Sequence, residues 1–141
     1  MAETGVSLPP LPVPDELTKP FWDAAREGRL HIQRCQSCRR YYHPPQVICP
    51  KCVSSSLEFE AVSGKGTIHS FSVMRDQRVQ GFEEKVPYIT VLVELEEQPL
   101  LTIVTNLPDA APEDVRIGLR VEVTFERLTD EITLPQFRLA R

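Results

Sequence analysis

Cys35-Gln36-Ser37-Cys38 and, ten residues later, Cys49-Pro50-Lys51-Cys52 contain all four cysteines of a 141-residue chain. Two thiolates three residues apart reach one metal across a tight turn, and a second such turn completes a tetrahedron. Four soft sulfur ligands favour zinc or iron over magnesium or calcium. The ten-residue spacer is short for paired Cys-x-x-Cys sites, yet it has room for two short strands and the Pro44-Pro45 turn. The reading is one zinc held by Cys35, Cys38, Cys49 and Cys52. Four thiolates leave no open position for water or substrate, so this ion is structural rather than catalytic. Two disulfides would need an oxidising compartment, and no apolar signal segment follows the initial Met-Ala-Glu-Thr-Gly, so a cytoplasmic setting is expected. A redox dithiol uses a single Cys-x-x-Cys on a thioredoxin-like helix. His43 lies between the knuckles, with no ligand position left for it to fill.

The segments on either side fit a zinc ribbon. Leu30 to Arg34 alternates as a strand entering the first knuckle, and Tyr41-Tyr42-His43 returns toward the second. Upstream, Asp15 to Gly28 reads as a short helix or a pair of turns, with Thr18 as N-cap, Pro20 in the first turn and Gly28 as the stop. Phe21, Trp22 and Ala25 share one side of it. A helix this short does not persist alone, so its aromatic face docks either on the chain's own ribbon or on a ligand or partner. Pro9, Pro10, Pro12 and Pro14 favour an extended polyproline-like arm over residues 1–14, either a loose leader or an arm laid along a partner through Leu8, Leu11 and Val13.

After Cys52 a turn at Val53-Ser54-Ser55-Ser56 leads into a strand, and from Ser63 onward the pattern is all-β. Leu57–Val62 alternates like a half-buried strand, and Ser63-Gly64-Lys65-Gly66-Thr67 marks a bend or bulge that glycine permits. Strands follow at Thr67–Met74, Tyr88–Glu94, Leu100–Thr105, Arg120–Leu128 and Ile132–Phe137, with a helical interruption near Pro112–Val115. Five strands of this kind fit a small Greek-key barrel of the OB type. The expected organisation is mainly β: an arm at 1–14, a helix and rubredoxin-like zinc ribbon at 15–56, and a five-stranded OB-fold barrel at 57–141. The segment Asp76–Val86 is a long polar tip, either a binding loop or a mobile hairpin end.

Charge narrows the function classes. The net charge is −4, which disfavours a general nucleic-acid binder. Its distribution is uneven: residues 29–52 carry Arg29, Arg34, Arg39, Arg40 and Lys51 with no carboxylate, whereas residues 53–141 carry nine basic and fifteen acidic side chains. The ribbon is therefore expected to stay positive even with a zinc tetrathiolate. No apolar run approaches the ~20 residues of a membrane span. Catalytic constellations are missing as well. Neither a Gly-x-Ser-x-Gly elbow nor a spare cysteine occurs, and His69, Ser70 and Ser72 alternate along one predicted strand.

The order Phe21-Trp22, Gly28-Arg29-Leu30, Cys35-x-x-Cys38, Pro44-Pro45, Cys49-Pro50-x-Cys52, Ser63-Gly64-x-Gly66-Thr67, Pro87-Tyr88 and Gly118 resembles the zinc-ribbon/OB-fold acyl-CoA-associated proteins, a former domain of unknown function. The likeness runs from about residue 15 to 138. It implies a small subunit that partners a thiolase-like protein, in some settings an enoyl-CoA hydratase, with the reacting groups on the partner. By this resemblance the chain is a non-catalytic accessory subunit of a hetero-oligomer that stabilises its partner and shapes a CoA or acyl-substrate site. The reaction it implies is a retro-aldol or acyl transfer in lipid or steroid side-chain breakdown. Phe21, Trp22, Arg29, Arg39 and Arg40 are the expected partner or substrate contacts, the arginines suiting CoA phosphates or an acidic partner face. Where the family often has an arginine after Pro-Pro, this chain has Gln46-Val47-Ile48. The rival classes are a nucleic-acid-binding module, which predicts a basic barrel face with stacking aromatics, and a free-standing acyl-CoA binding protein.

Overall fold

The computed structural model describes residues 9–140; Leu8 and the rest of 1–8 lie outside them. Residues 9–14 have no regular structure, and Leu11 and Val13 point outward, 50% and 89% exposed. Asp15 then opens the first helical turn. Its Oδ1 accepts from the Thr18 amide at 2.8 Å while its own amide donates to Thr18 Oγ1 at 3.0 Å, a reciprocal capping box. The cap expected at Thr18 is thus made by Asp15. Thr18 already has a helical backbone and no side-chain cap bond of its own. Helix α1 follows at Lys19–Arg26. It ends as the sequence indicated: Gly28 has φ 77°, its amide donates to Ala25 O, and the Arg29 amide reaches back to Ala24 O. This is a Schellman stop, in which the left-handed residue costs glycine nothing.

Strands β1 (His31–Cys35), β2 (Tyr41–Tyr42) and β3 (Leu57–Ala61) form an antiparallel sheet in the order β2-β1-β3. The barrel expected at 57–141 would include β3. Instead it pairs with β1 along its whole length, His31 opposite Ala61 and Cys35 opposite Leu57. Pairing with β1 holds the polypeptide that leaves the second knuckle against the strand that enters the first.

The second sheet contains β4 (Lys65–Met74), β5 (Tyr88–Leu95), β6 (Thr102–Asn106), β7 (Arg120–Arg127) and β8 (Thr133–Leu139), in the order β6-β5-β4-β7-β8. The alternation of β5 is strict: Ile89, Val91, Val93 and Leu95 are buried and their neighbours are not. β4 serves two neighbours, pairing with β7 at Lys65–Thr67 and with β5 from Gly66 to Met74, with a register shift between Ile68 and Ser70. A Cβ at Gly66 would collide with the Glu94 carbonyl oxygen, which explains the glycine. The two edges approach where the buried Thr105 hydroxyl donates to Pro135 O at 3.0 Å, and a short 3₁₀ turn at Pro112–Asp114 spans β6 to β7. The result is the expected five-stranded, nearly closed barrel.

Ribbon, helix and barrel share one core. Phe21, Leu30, Ile32 and Tyr41 pack in the same buried cluster as Ile68, Val93, Ile103, Leu107 and Phe137. α1 lies on β8 and β1. Gln98, in the β5–β6 turn, clasps the ribbon edge: its Oε1 accepts from the Tyr41 amide at 2.9 Å and its Nε2 donates to the Tyr41 carbonyl at 3.2 Å. One side chain thereby occupies the place of a missing strand. The metal turns are consequently held in a fixed position on the barrel.

Candidate metal centre and the cleft beside it

The two knuckles repeat one backbone plan. In each, the amide of the fourth residue points at the sulfur of the first: Cys38 N to Cys35 Sγ is 3.5 Å and Cys52 N to Cys49 Sγ is 3.4 Å. The fifth residue donates to the first carbonyl, Arg39 to Cys35 O and Val53 to Cys49 O, both at 2.9 Å. Arg39 and Val53 are left-handed, φ 68° and 64°. Cys35 and Cys49 are fully buried, while Cys38 and Cys52 face outward.

The four sulfurs lie within 4.8 Å of one another, with Cys35 to Cys52 at 3.6 Å and Cys38 to Cys49 at 3.7 Å. A zinc with four sulfurs at ~2.3 Å requires sulfur–sulfur edges of about 3.8 Å. The donor set therefore fits one tetrahedral zinc, and all of its positions are taken by protein. This is a structural site.

The surroundings favour thiolates unequally. The Cys38 amide holds the Cys35 thiol below its ordinary value. At Cys49 burial opposes ionisation, but the Tyr42 hydroxyl at 3.1 Å and the amides of Cys52 and Lys51 outweigh it and bring the thiol down to about 6. The same hydrogen bond, with burial added, pushes the Tyr42 phenol up to about 12. At Cys52 the Ser54 amide favours the thiolate, yet burial and the three neighbouring sulfurs raise it to about 11. Four thiolates this close cannot all ionise without a central cation; a bound dication removes that restriction.

The expected contact residues are scattered. Phe21 is 7% exposed and inside the chain's own core, stacked edge-on to Trp22 at 5.1 Å, so its ring serves the docking of α1. Trp22 is half-buried and lines a cleft. Arg29 pairs with Glu27. Arg39 and Arg34 both pair with Glu60, at 3.1 and 3.3 Å, and Gln36 also donates to it at 2.9 Å. Gln36 first, then the two arginines, hold the Glu60 carboxyl below its ordinary range. Arg34 also lies 4.3 Å over the Tyr41 ring. One carboxylate on β3 thus pairs with two of the five basic side chains of residues 29–52 and offsets only part of the ribbon's positive charge. Arg40 and Lys51 are exposed and enter no ion pair among the described residues.

A cleft of about 210 Å³ runs between α1, the Pro44-Pro45 turn and the barrel edge, lined by Trp22, His43, Pro45, Val104, Leu134 and Pro135 among others. Gln33, buried on β1, fixes its wall by accepting from the Gln46 amide at 2.7 Å and donating to Gln46 O at 2.9 Å. His43 packs 5.4 Å from Phe21; burial lowers its pKa, and its Nδ1 has no hydrogen-bond partner. Sequence reasoning missed the cleft and the roles of Gln33, Glu60 and Gln98. Their partners are fixed only by the fold, and the one available signal was a glutamine inside an otherwise alternating ribbon strand.

Two family models match the chain: the ChsH2 rubredoxin-like zinc ribbon domain over residues 22–58 and the ChsH2 C-terminal OB-fold domain over 59–126. A DUF35 domain-containing scaffold protein of Methanocaldococcus jannaschii is 39% identical over 120 residues, covering 83% of this chain and 82% of its own length. The chain belongs to the ChsH2/DUF35 family. A chain of the solved Ltp2-ChsH2(DUF35) aldolase superposes with a TM-score of 0.81 at 35% identity, covering 91% of this chain and 98% of that one. The probable enoyl-CoA hydratase alpha subunit of Thermomonospora curvata is 40% identical over 121 residues; these are 85% of this chain but span only 37% of that protein. No helix among the described residues is long and apolar enough to cross a membrane.

Proposed function

We propose that this chain is a non-catalytic accessory subunit of a thiolase-like acyl-CoA enzyme, bound to it in a hetero-oligomer and helping to shape its CoA or acyl-substrate site. The observation that carries this reading is the likeness, over nine-tenths of the chain, to a subunit of a solved aldolase complex. The chemistry of the chain supports it. The sulfur cluster leaves no open coordination position. His69 is exposed on β4, away from the cleft, and His43 is the sole titratable side chain lining that cleft. Such a surface can position a partner or a thioester but offers no paired acid and base.

Within this reading, a CoA thioester lies at the shared interface. Trp22 on the cleft wall and Arg40 on the ribbon are the available contacts, since Arg39 and Arg29 are already paired. The finer proposal is carbon–carbon bond cleavage in lipid or steroid side-chain degradation, in the cytoplasm. A hydratase partner is the second reading, favoured by the 40% identity to a hydratase alpha subunit.

The test is co-expression of this chain with a thiolase-like protein of its host, followed by light scattering on the eluted species. The account expects one hetero-oligomeric peak that carries zinc and is weakened by Trp22→Ala. Separate elution of the two proteins would contradict it, and retention of single-stranded nucleic acid would favour the rival class.

A further inference from the structure

The fifth residues of the two knuckles share a conformation and differ in what compensates it. Glycine adopts the left-handed region without penalty. Arg39 is unbranched, and its guanidinium is engaged by Gln36 at 2.9 Å and by Glu60. Val53 is β-branched, for which φ 64° is an outlier, and its side chain is 72% exposed. It gains almost no packing there. A glycine would close the same turn, so folding does not account for the valine.

Two more exposed apolar residues belong to this knuckle. Val47 is 76% exposed and Ile48 is 47% exposed. They enter the turn in which Cys49 donates to Ser54 O and Val53 to Cys49 O. The sequence has no carboxylate between Glu27 and Glu58, and Lys51 stands in the turn without an ion pair among the described residues.

We propose that Val47, Ile48 and Val53 form a docking tip that seats on a protein surface with an apolar centre and an acidic rim, carried by the thiolase-like partner. Strain retained at an exposed position points to function rather than to folding. Val53 lies within the hydrogen-bonded cysteine turn, and Val47 and Ile48 run into it from the Gln46 backbone that Gln33 clasps, so little backbone freedom is lost when they are covered. Lys51 at the margin selects acidic groups. A second copy of this chain fits poorly, because a symmetric tip-to-tip contact would bring two Lys51 side chains together with no anion between them. A nucleic acid fits poorly too, with one lysine facing it and three aliphatic side chains.

The inference rests on the accessory-subunit reading, and the experiment separates the two. Zinc-loaded full-length chain is titrated against the thiolase-like partner, and thermal midpoint and zinc content are measured for each variant. Val53→Gly is expected to keep one zinc per chain, raise the midpoint and weaken binding roughly tenfold. The double variant Val47→Ser with Ile48→Ser is expected to weaken binding without the gain in midpoint. Ile117→Ser, an exposed apolar site on the barrel, is expected to bind within about twofold of wild type. A Val53→Gly chain that melts lower, or that binds as tightly as wild type, would overturn the tip assignment alone. Equal weakening by Ile117→Ser would do the same. A wild-type chain that binds no thiolase-like protein would overturn the accessory-subunit reading and the tip with it.

Discussion

The ribbon and the barrel share one buried cluster but depend on different physics. In the barrel, β4 to β8 bury their own Ile68, Ile89, Val91, Val93, Leu95, Val121 and Phe137. Each large side chain so removed from water contributes roughly 2 kcal/mol. The ribbon has two strands of five residues and one of two, and its fully buried residues include two of its four cysteines. It lacks the apolar area to fold on burial alone, and the metal takes the place of a core. The ribbon's position thus depends on its metal and on the barrel that Gln98 and the shared core join it to.

Removing the metal should separate the two regions most sharply. Structural zinc contributes on the order of 10 kcal/mol or more of binding energy to small modules. With a strong chelator, hydrogen exchange should lose protection at Ile32 and Tyr41 while Val91 and Val121 stay protected; uniform loss would show that the barrel depends on the ribbon. Phe137→Ala strikes the other side. It empties a fully buried barrel position and should cost ~3–5 kcal/mol in denaturant unfolding while the zinc stoichiometry stays at one.

Smaller effects lie at the join. Gln98→Ala leaves the Tyr41 amide and carbonyl without their partner and should cost about 1–2 kcal/mol. Exchange should quicken in β2 before any barrel strand; an unchanged β2 would mean that the shared core alone positions the ribbon. The smallest expected effect concerns pH. The Tyr42 hydroxyl donates to Cys49 and helps to hold its thiol at about 6, below the ordinary value of 9.0. A group depressed on folding contributes stability above its unfolded value, and this is lost as pH falls through the folded value. Tyr42→Phe raises the Cys49 value, so zinc should be released on acidification at a higher pH than from wild type, as read with a chromogenic chelator. Release at the same pH would assign the Cys49 shift to the backbone amides.

The parts legible in the sequence are those that local chemistry decides. The cysteine spacing gave the metal, period-two alternation gave β5, and Gly28 gave the end of α1. Features set by distant segments were not legible. Arg34 and Arg39 count as positive along the chain until β3 pairs with β1 and brings Glu60 beside them. Thr18 has the chemistry of a cap, but Asp15 three residues earlier has the better geometry, and only the backbone decides between them. Whether Phe21 faces the chain's own fold or a partner is decided only when α1 is seen to lie over β8. The cleft follows from that docking, so no stretch of sequence announces it.

We propose that this chain supplies surface and position while its partner supplies chemistry. The most direct test is turnover of a β-hydroxyacyl-CoA thioester by the thiolase-like protein alone, by this chain alone and by the two co-purified. The account predicts cleavage by the pair, none by this chain alone, and a marked loss when the partner acts without it. Turnover by this chain alone, or equal turnover by the partner with and without it, would contradict the account.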